Sequence, residues 1–143
     1  MTREADLQGV VHFFETLSAA SARQLDHVYA ADVFFKDPFN EVRGLAAVTP
    51  IFTHMFVQVE QPHFVVTTRV LQGNDAFLTW DFLFRMKRGP DQEHCIRGAT
   101  HLRFDATGRV NYHRDYWDAA EELYEKIPLL GGLMRMLKRA ARR

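Results

Sequence analysis

Cysteine is almost absent from this chain. Cys95 stands alone in 143 residues, so neither an intrachain disulfide nor a cysteine-based metal cluster can form. Net charge is absent too: 18 basic and 18 acidic side chains cancel, and no long-range field for nucleic acid is expected. No stretch approaches the roughly 20 apolar residues of a membrane span. The opening MTREADLQGVVHFF sets acids ahead of its apolar residues, unlike a secretory signal, so a cytoplasmic protein is expected. The seven histidines show no HExxH or other close ligand spacing, and no metal is expected. The glycine fingerprints of dinucleotide and P-loop sites and the GxSxG elbow are also missing.

Phenylalanine, by contrast, is plentiful. Twelve of them imply a core or a cavity wall rich in aromatic surface. The length suits one domain, spanning 1–143, with a helical extension from about residue 118. Charge is unevenly placed. Arg135, Lys138, Arg139, Arg142 and Arg143 face no acids beyond Ile127, which leaves 13 basic against 18 acidic residues before it. A basic helix end accounts for this simply, and a membrane contact is not expected.

Leu7, Val10, Val11, Phe14 and Leu17 recur at helical spacing, which predicts a helix over 4–18. Ser21 is positioned to cap a second short helix through Leu25, Val28 and Tyr29. DVFFKD reads as a short strand. Gly44 then precedes LAAVTPIFTHMFVQV, a helix interrupted or begun anew at Pro50. Four runs rich in β-branched and aromatic residues follow: HFVVTTRVL, AFLTWDFLFRMK, HCIRGATHLRF and RVNYHRDYW. QGND, RGPDQ and DATG separate them with turn chemistry, which predicts a curved antiparallel meander. DAAEELYEKIP and LLGGLMRMLKRAARR read as two closing helices, the second a candidate lid hinged at Gly131-Gly132. The fold class is therefore α+β, a cone-shaped sheet wrapped around N-terminal helices.

Period-2 alternation assigns faces. Leu78, Trp80, Phe82, Phe84 and Met86 go inside, as do Ile96, Gly98, Thr100, Leu102 and Phe104. In the last strand Asn111, His113, Asp115 and Trp117 oppose Val110, Tyr112, Arg114 and Tyr116. If Trp117 lines a cavity, His113 and Asp115 come with it. The alternative sends Asp115 to a surface ion network with Arg114. Asp37, set between apolar neighbours, is either a base at the mouth of a pocket or the closure of a turn.

The order helix, helix, DVFFKDPFNEVRG, helix, four strands resembles the nuclear transport factor 2 superfamily, which includes ketosteroid isomerases, SnoaL-like cyclases, scytalone dehydratases and limonene epoxide hydrolases. KDPFNEVRG, GATHLRFDATGRV and HRDYWD carry the resemblance, which reaches about residue 118. It implies a cone-shaped α+β barrel, often dimeric through the outer sheet face. Ketosteroid isomerases place their base on an aspartate followed by proline, and Asp37-Pro38 matches that position. Their two oxyanion donors fall here at Phe14 and Thr100, neither of which replaces them. Losing one such donor costs about 10²–10³ in rate, so efficient steroid isomerisation is not expected unless Tyr29, Tyr116, Trp80 or His113 substitutes. SnoaL-like cyclases and epoxide hydrolases place an acid–base aspartate on a late strand, which implies that role for Asp115, with His113 as partner or proton shuttle.

Two readings follow. The first is an isomerase, cyclase or dehydratase that works by proton transfer and needs no cofactor. Asp37, His113 and Asp115 would be catalytic, and Phe14, Tyr29, Trp80, Phe82, Thr100 and Trp117 would hold a small apolar substrate. The second is a non-catalytic ligand-binding or dimeric scaffold protein, because fold alone does not decide function.

Overall fold

The structure, a computed structural model, describes residues 2–124. Helix α1 spans Arg3–Glu15. Thr2 caps it, its hydroxyl accepting from the Ala5 N–H at 3.2 Å, and Glu4 and Asp6 lie in the first turn, where the helix dipole favours acids. Its inner stripe buries Leu7, Val10 and Val11.

The second helix expected from Ser21 is instead two 3₁₀ turns, Ser21–Arg23 and Leu25–His27. Ala22 and Leu25, three residues apart, are both fully buried, and 3₁₀ geometry stacks an i, i+3 pair on one side. Ser21 does not cap forward. Its hydroxyl accepts from the Ser18 N–H at 2.8 Å, and Tyr29 already belongs to a strand.

Strand β1 is Tyr29–Lys36, longer than expected, and turns through Asp37-Pro38-Phe39-Asn40 into the short β2, Glu41–Arg43. Helix α2, Leu45–Gln58, runs unbroken through Pro50. The proline costs about 3 kcal/mol in a helix interior. Burying Val48 and Phe52 on the same helix returns about 1.5–3 kcal/mol each, enough to carry the helix past it.

Strands β3 (Glu60–Gln72), β4 (Asp75–Arg85), β5 (Glu93–Phe104) and β6 (Val110–Tyr116) form the expected meander. Gly89 and Pro90 fall between β4 and β5, outside any strand. The curved, unclosed sheet has the order β2-β1-β6-β5-β4-β3; β1 and β6 run parallel and every other pair antiparallel. Both helices pack on its inner face, α1 against β3 and α2 against β1 and β3. This is the α+β cone expected from the sequence.

Strand β6 holds the irregularity that sets up the site. Phe104 pairs with Val110 but Arg103 pairs with Tyr112, so Asn111 is an extra residue. Such a bulge reverses the alternation. Val110 and His113 therefore both face the core, although their odd separation in sequence assigns them to opposite faces. After β6 comes a helical turn, Ala120–Tyr124, and the rest of the expected extension lies outside the described residues. The proposed lid over 129–143 lies outside the described residues. No described helix is long and apolar enough to cross a membrane.

Candidate active site

Inward-facing residues of β4, β5 and β6 meet through strand register. Thr100 lies directly opposite Asp115, and Leu102 opposite His113. Trp80 pairs with Gly98, which makes it the diagonal neighbour of Thr100. The Trp80 ring lies flat over Gly98, where even a β-carbon would stand 2.4 Å from it. A glycine is therefore required beneath this tryptophan.

These positions form one chain of hydrogen bonds. The Trp80 indole N–H donates to the Thr100 hydroxyl at 2.7 Å, and that hydroxyl donates to Asp115 Oδ1 at 2.6 Å. His113 Nε2 is 2.7 Å from the same oxygen, and His113 Nδ1 is 2.7 Å from the Tyr29 hydroxyl. The directions follow from what each group can do. An ionised carboxylate only accepts, so Nε2 carries the proton shared with Asp115. The Tyr29 hydroxyl has no other described acceptor, so with Nε2 directed at Asp115 it is placed to donate to Nδ1. Burial, and then the charge of Asp115, push the Tyr29 phenol well above its ordinary range, which keeps it a donor. Asp115 Oδ1 thus accepts two hydrogen bonds, while no described residue donates to Oδ2.

Asp37 both closes the turn and reaches the cavity. Its Oδ1 accepts from the Phe39 N–H (2.8 Å), the Asn40 N–H (2.7 Å) and the Asn40 side-chain amide (2.9 Å). Oδ2 accepts from that amide at 3.0 Å. Four such contacts ordinarily favour the anion. Burial outweighs them, however, and with the nearby Asp115 charge it raises the Asp37 carboxyl above the usual range.

The cavity has two chambers that share Phe52, Phe64, Trp80 and Asp115. The smaller, about 40 Å³, is lined by Phe14, Thr100 and His113 among others. The larger brings Asp37 and Asp115 together with Phe82 and Trp117, and holds about 140 Å³. That is roughly ten times the room one water needs. Of the nine residues singled out from the sequence, eight line one chamber or both. Tyr29 lines neither, because its hydroxyl is spent on His113.

Sequence reasoning missed Asn40, Phe39, Phe52 and Phe64. Asn40 had a signal, since asparagine three residues after Asp in DPFN suits a side-chain-bonded turn. Phe64 shares the inward parity of Val66 on β3, and Phe52 lies one helical turn after Val48. Among the described residues no group of three metal-ligating side chains is suited to hold an ion.

Comparison with known proteins places these features in context. The model of the SnoaL-like domain matches residues 10–113. A nuclear-transport-factor-2-like protein of unknown function from Burkholderia pseudomallei superposes with a TM-score of 0.72 at 15% identity, over 87% of this chain and 97% of its own. A hypothetical protein of ketosteroid isomerase-like fold from Catenulispora acidiphila, in complex with trimethylamine, gives 0.70 at 16%, over 83% and 89%. An LEH-like epoxide hydrolase from Mycobacterium tuberculosis gives 0.67 at 14%, over 94% and 91%. At these identities the likeness is one of fold alone. Among curated proteins no sequence matches this chain.

Proposed function

We infer the function from one premise: the chain belongs to the SnoaL-like domain family. On it we propose an enzyme that binds a small, largely apolar molecule and isomerises or cyclises it by proton transfer, without a cofactor. The observation that carries this reading is the pair of unlike carboxyl groups on one aromatic cavity. Asp115 takes two donors on Oδ1 and keeps Oδ2 open, as a general base does. Asp37, held toward its protonated form by burial and by Asp115, suits the general acid.

In this reading Asp115 Oδ2 removes a proton from carbon next to a carbonyl, and Asp37 gives its proton to the oxygen that gathers charge. Asp115 then returns its proton, to another carbon in an isomerisation or, in a ring closure, to the oxygen of the carbonyl that the enol carbon attacks, and Asp37 takes its own proton back from the first oxygen. Trp80 and Thr100 hold Asp115 from one side and Tyr29 through His113 from the other, so His113 and Tyr29 position rather than react.

Ring opening of 5-nitrobenzisoxazole tests the base without knowledge of the natural substrate, because it requires only C–H cleavage in an apolar site. The wild-type chain should accelerate it, and Asp115→Asn should lose about 10²–10⁴ of that rate. Equal rates in the two proteins would remove the catalytic reading. The second reading is a ligand-binding protein without chemistry. It is favoured by the engagement of Asp37 Oδ1 in its turn, and the Catenulispora protein of the same fold was found with a bound small molecule, trimethylamine.

A further inference from the structure

The charge of the larger chamber is unbalanced. Its lining carries two carboxyl groups, Asp37 and Asp115, and no lysine, arginine or histidine among the described residues. Its remaining polar side chains are the amides of Asn40 and Gln58. The rest of the wall is apolar, with the rings of Phe39, Phe52, Phe64, Trp80, Phe82 and Trp117 around the space. His113 lies on the other chamber and directs its Nε2 proton at Asp115 Oδ1, leaving Oδ2 without a described donor.

We propose that this cavity selects a small organic cation, a protonated amine or quaternary ammonium with apolar substituents. A neutral guest leaves a carboxylate unpaired in a space that it has dried, which is costly. An anion is repelled. A cation with alkyl groups supplies the missing charge to Asp115 Oδ2 and presents its positive methyl or methylene shell to ring faces, whose quadrupoles attract it. Charge and wall then agree on one chemical class. Burial first, and then the charge of Asp115, raise the Asp37 carboxyl, and the second of these is a repulsion such a guest would relieve. The inference rests on the reading of this cavity as the substrate site and names the substrate class.

Both tryptophans of the chain, Trp80 and Trp117, line the chamber, so intrinsic fluorescence reports on it directly. Titration of the full chain with choline and with 3,3-dimethylbutan-1-ol compares two guests of one shape, differing only in a charged nitrogen for a carbon. Choline should bind at least about tenfold more tightly at pH 7. The preference should shrink several-fold in Asp115→Asn and in Asp37→Asn, the second serving if the first fails to fold. Equal affinities, no response to choline, or a preference unchanged in both variants would each overturn the proposal. Ring opening of the benzisoxazole, run on the same samples, separates the two ideas. Its persistence without cation preference condemns only the substrate class, whereas its absence with the preference intact condemns only the catalysis.

Discussion

A carboxyl surrounded by four donor contacts would ordinarily be held as an anion, yet burial and a neighbouring charge push Asp37 the other way. The sign of the consequence follows. Between the ordinary carboxyl pKa of about 3.9 and the raised native value, the folded chain binds more protons than the unfolded one, so Asp37 makes stability fall as pH rises through that window. Asparagine keeps an acceptor for the turn and has no charge to bury. Thermal melts of Asp37→Asn should therefore show a higher midpoint than wild type at pH 7 and a smaller gain near pH 4. Equal gains at both pH values would show that burial of this charge costs nothing. Thr100→Val makes the opposite case. It leaves the Trp80 N–H buried without an acceptor and removes a donor from Asp115, and should cost about 1–3 kcal/mol in denaturant unfolding.

Strands rather than helices assemble the site, and they show how much was legible in advance. Period-2 alternation puts Trp80, Phe82 and Thr100 inside β4 and β5, where they stand. It cannot place Val110 and His113 together, because the bulge at Asn111 is a matter of register between strands and leaves no mark on a single one. The 3₁₀ turns after α1 were hidden for a related reason: the choice between them and a helix depends on what buries Ala22 and Leu25. Nor did the sequence reveal that Asp37 serves as turn and cavity wall at once, since DPFN describes the turn and only burial describes the wall. The Trp80–Gly98 pair gives a prediction at this scale. Gly98→Ala forces the ring off its seat, so destabilisation of about 1–3 kcal/mol should accompany a shift in tryptophan emission. Unchanged emission would mean that the ring has room to spare.

Across the whole molecule the two faces of the sheet do different things. The inner face holds the core and the cavity. The outer face exposes Val65, Val70, Phe77 and Tyr116, and a row of stacked groups crosses it from Arg43 and Phe34 through Tyr112 to His101 and Phe77. We propose that two copies of the chain pair through this face. Sedimentation velocity at tens of micromolar should then give a dimer that Phe77→Glu weakens, and a monomeric wild type would refute the pairing. The proposed function depends on the other face, where two acids share one apolar space. That sharing is most directly measured by a ¹³C NMR titration of the Asp37 carboxyl in the wild-type chain and in Asp115→Asn. Asp37 should titrate above the ordinary carboxylate range in the first and move down toward it in the second. A wild-type Asp37 that titrates in the ordinary range, unmoved by the substitution, would contradict the shared acid–base site.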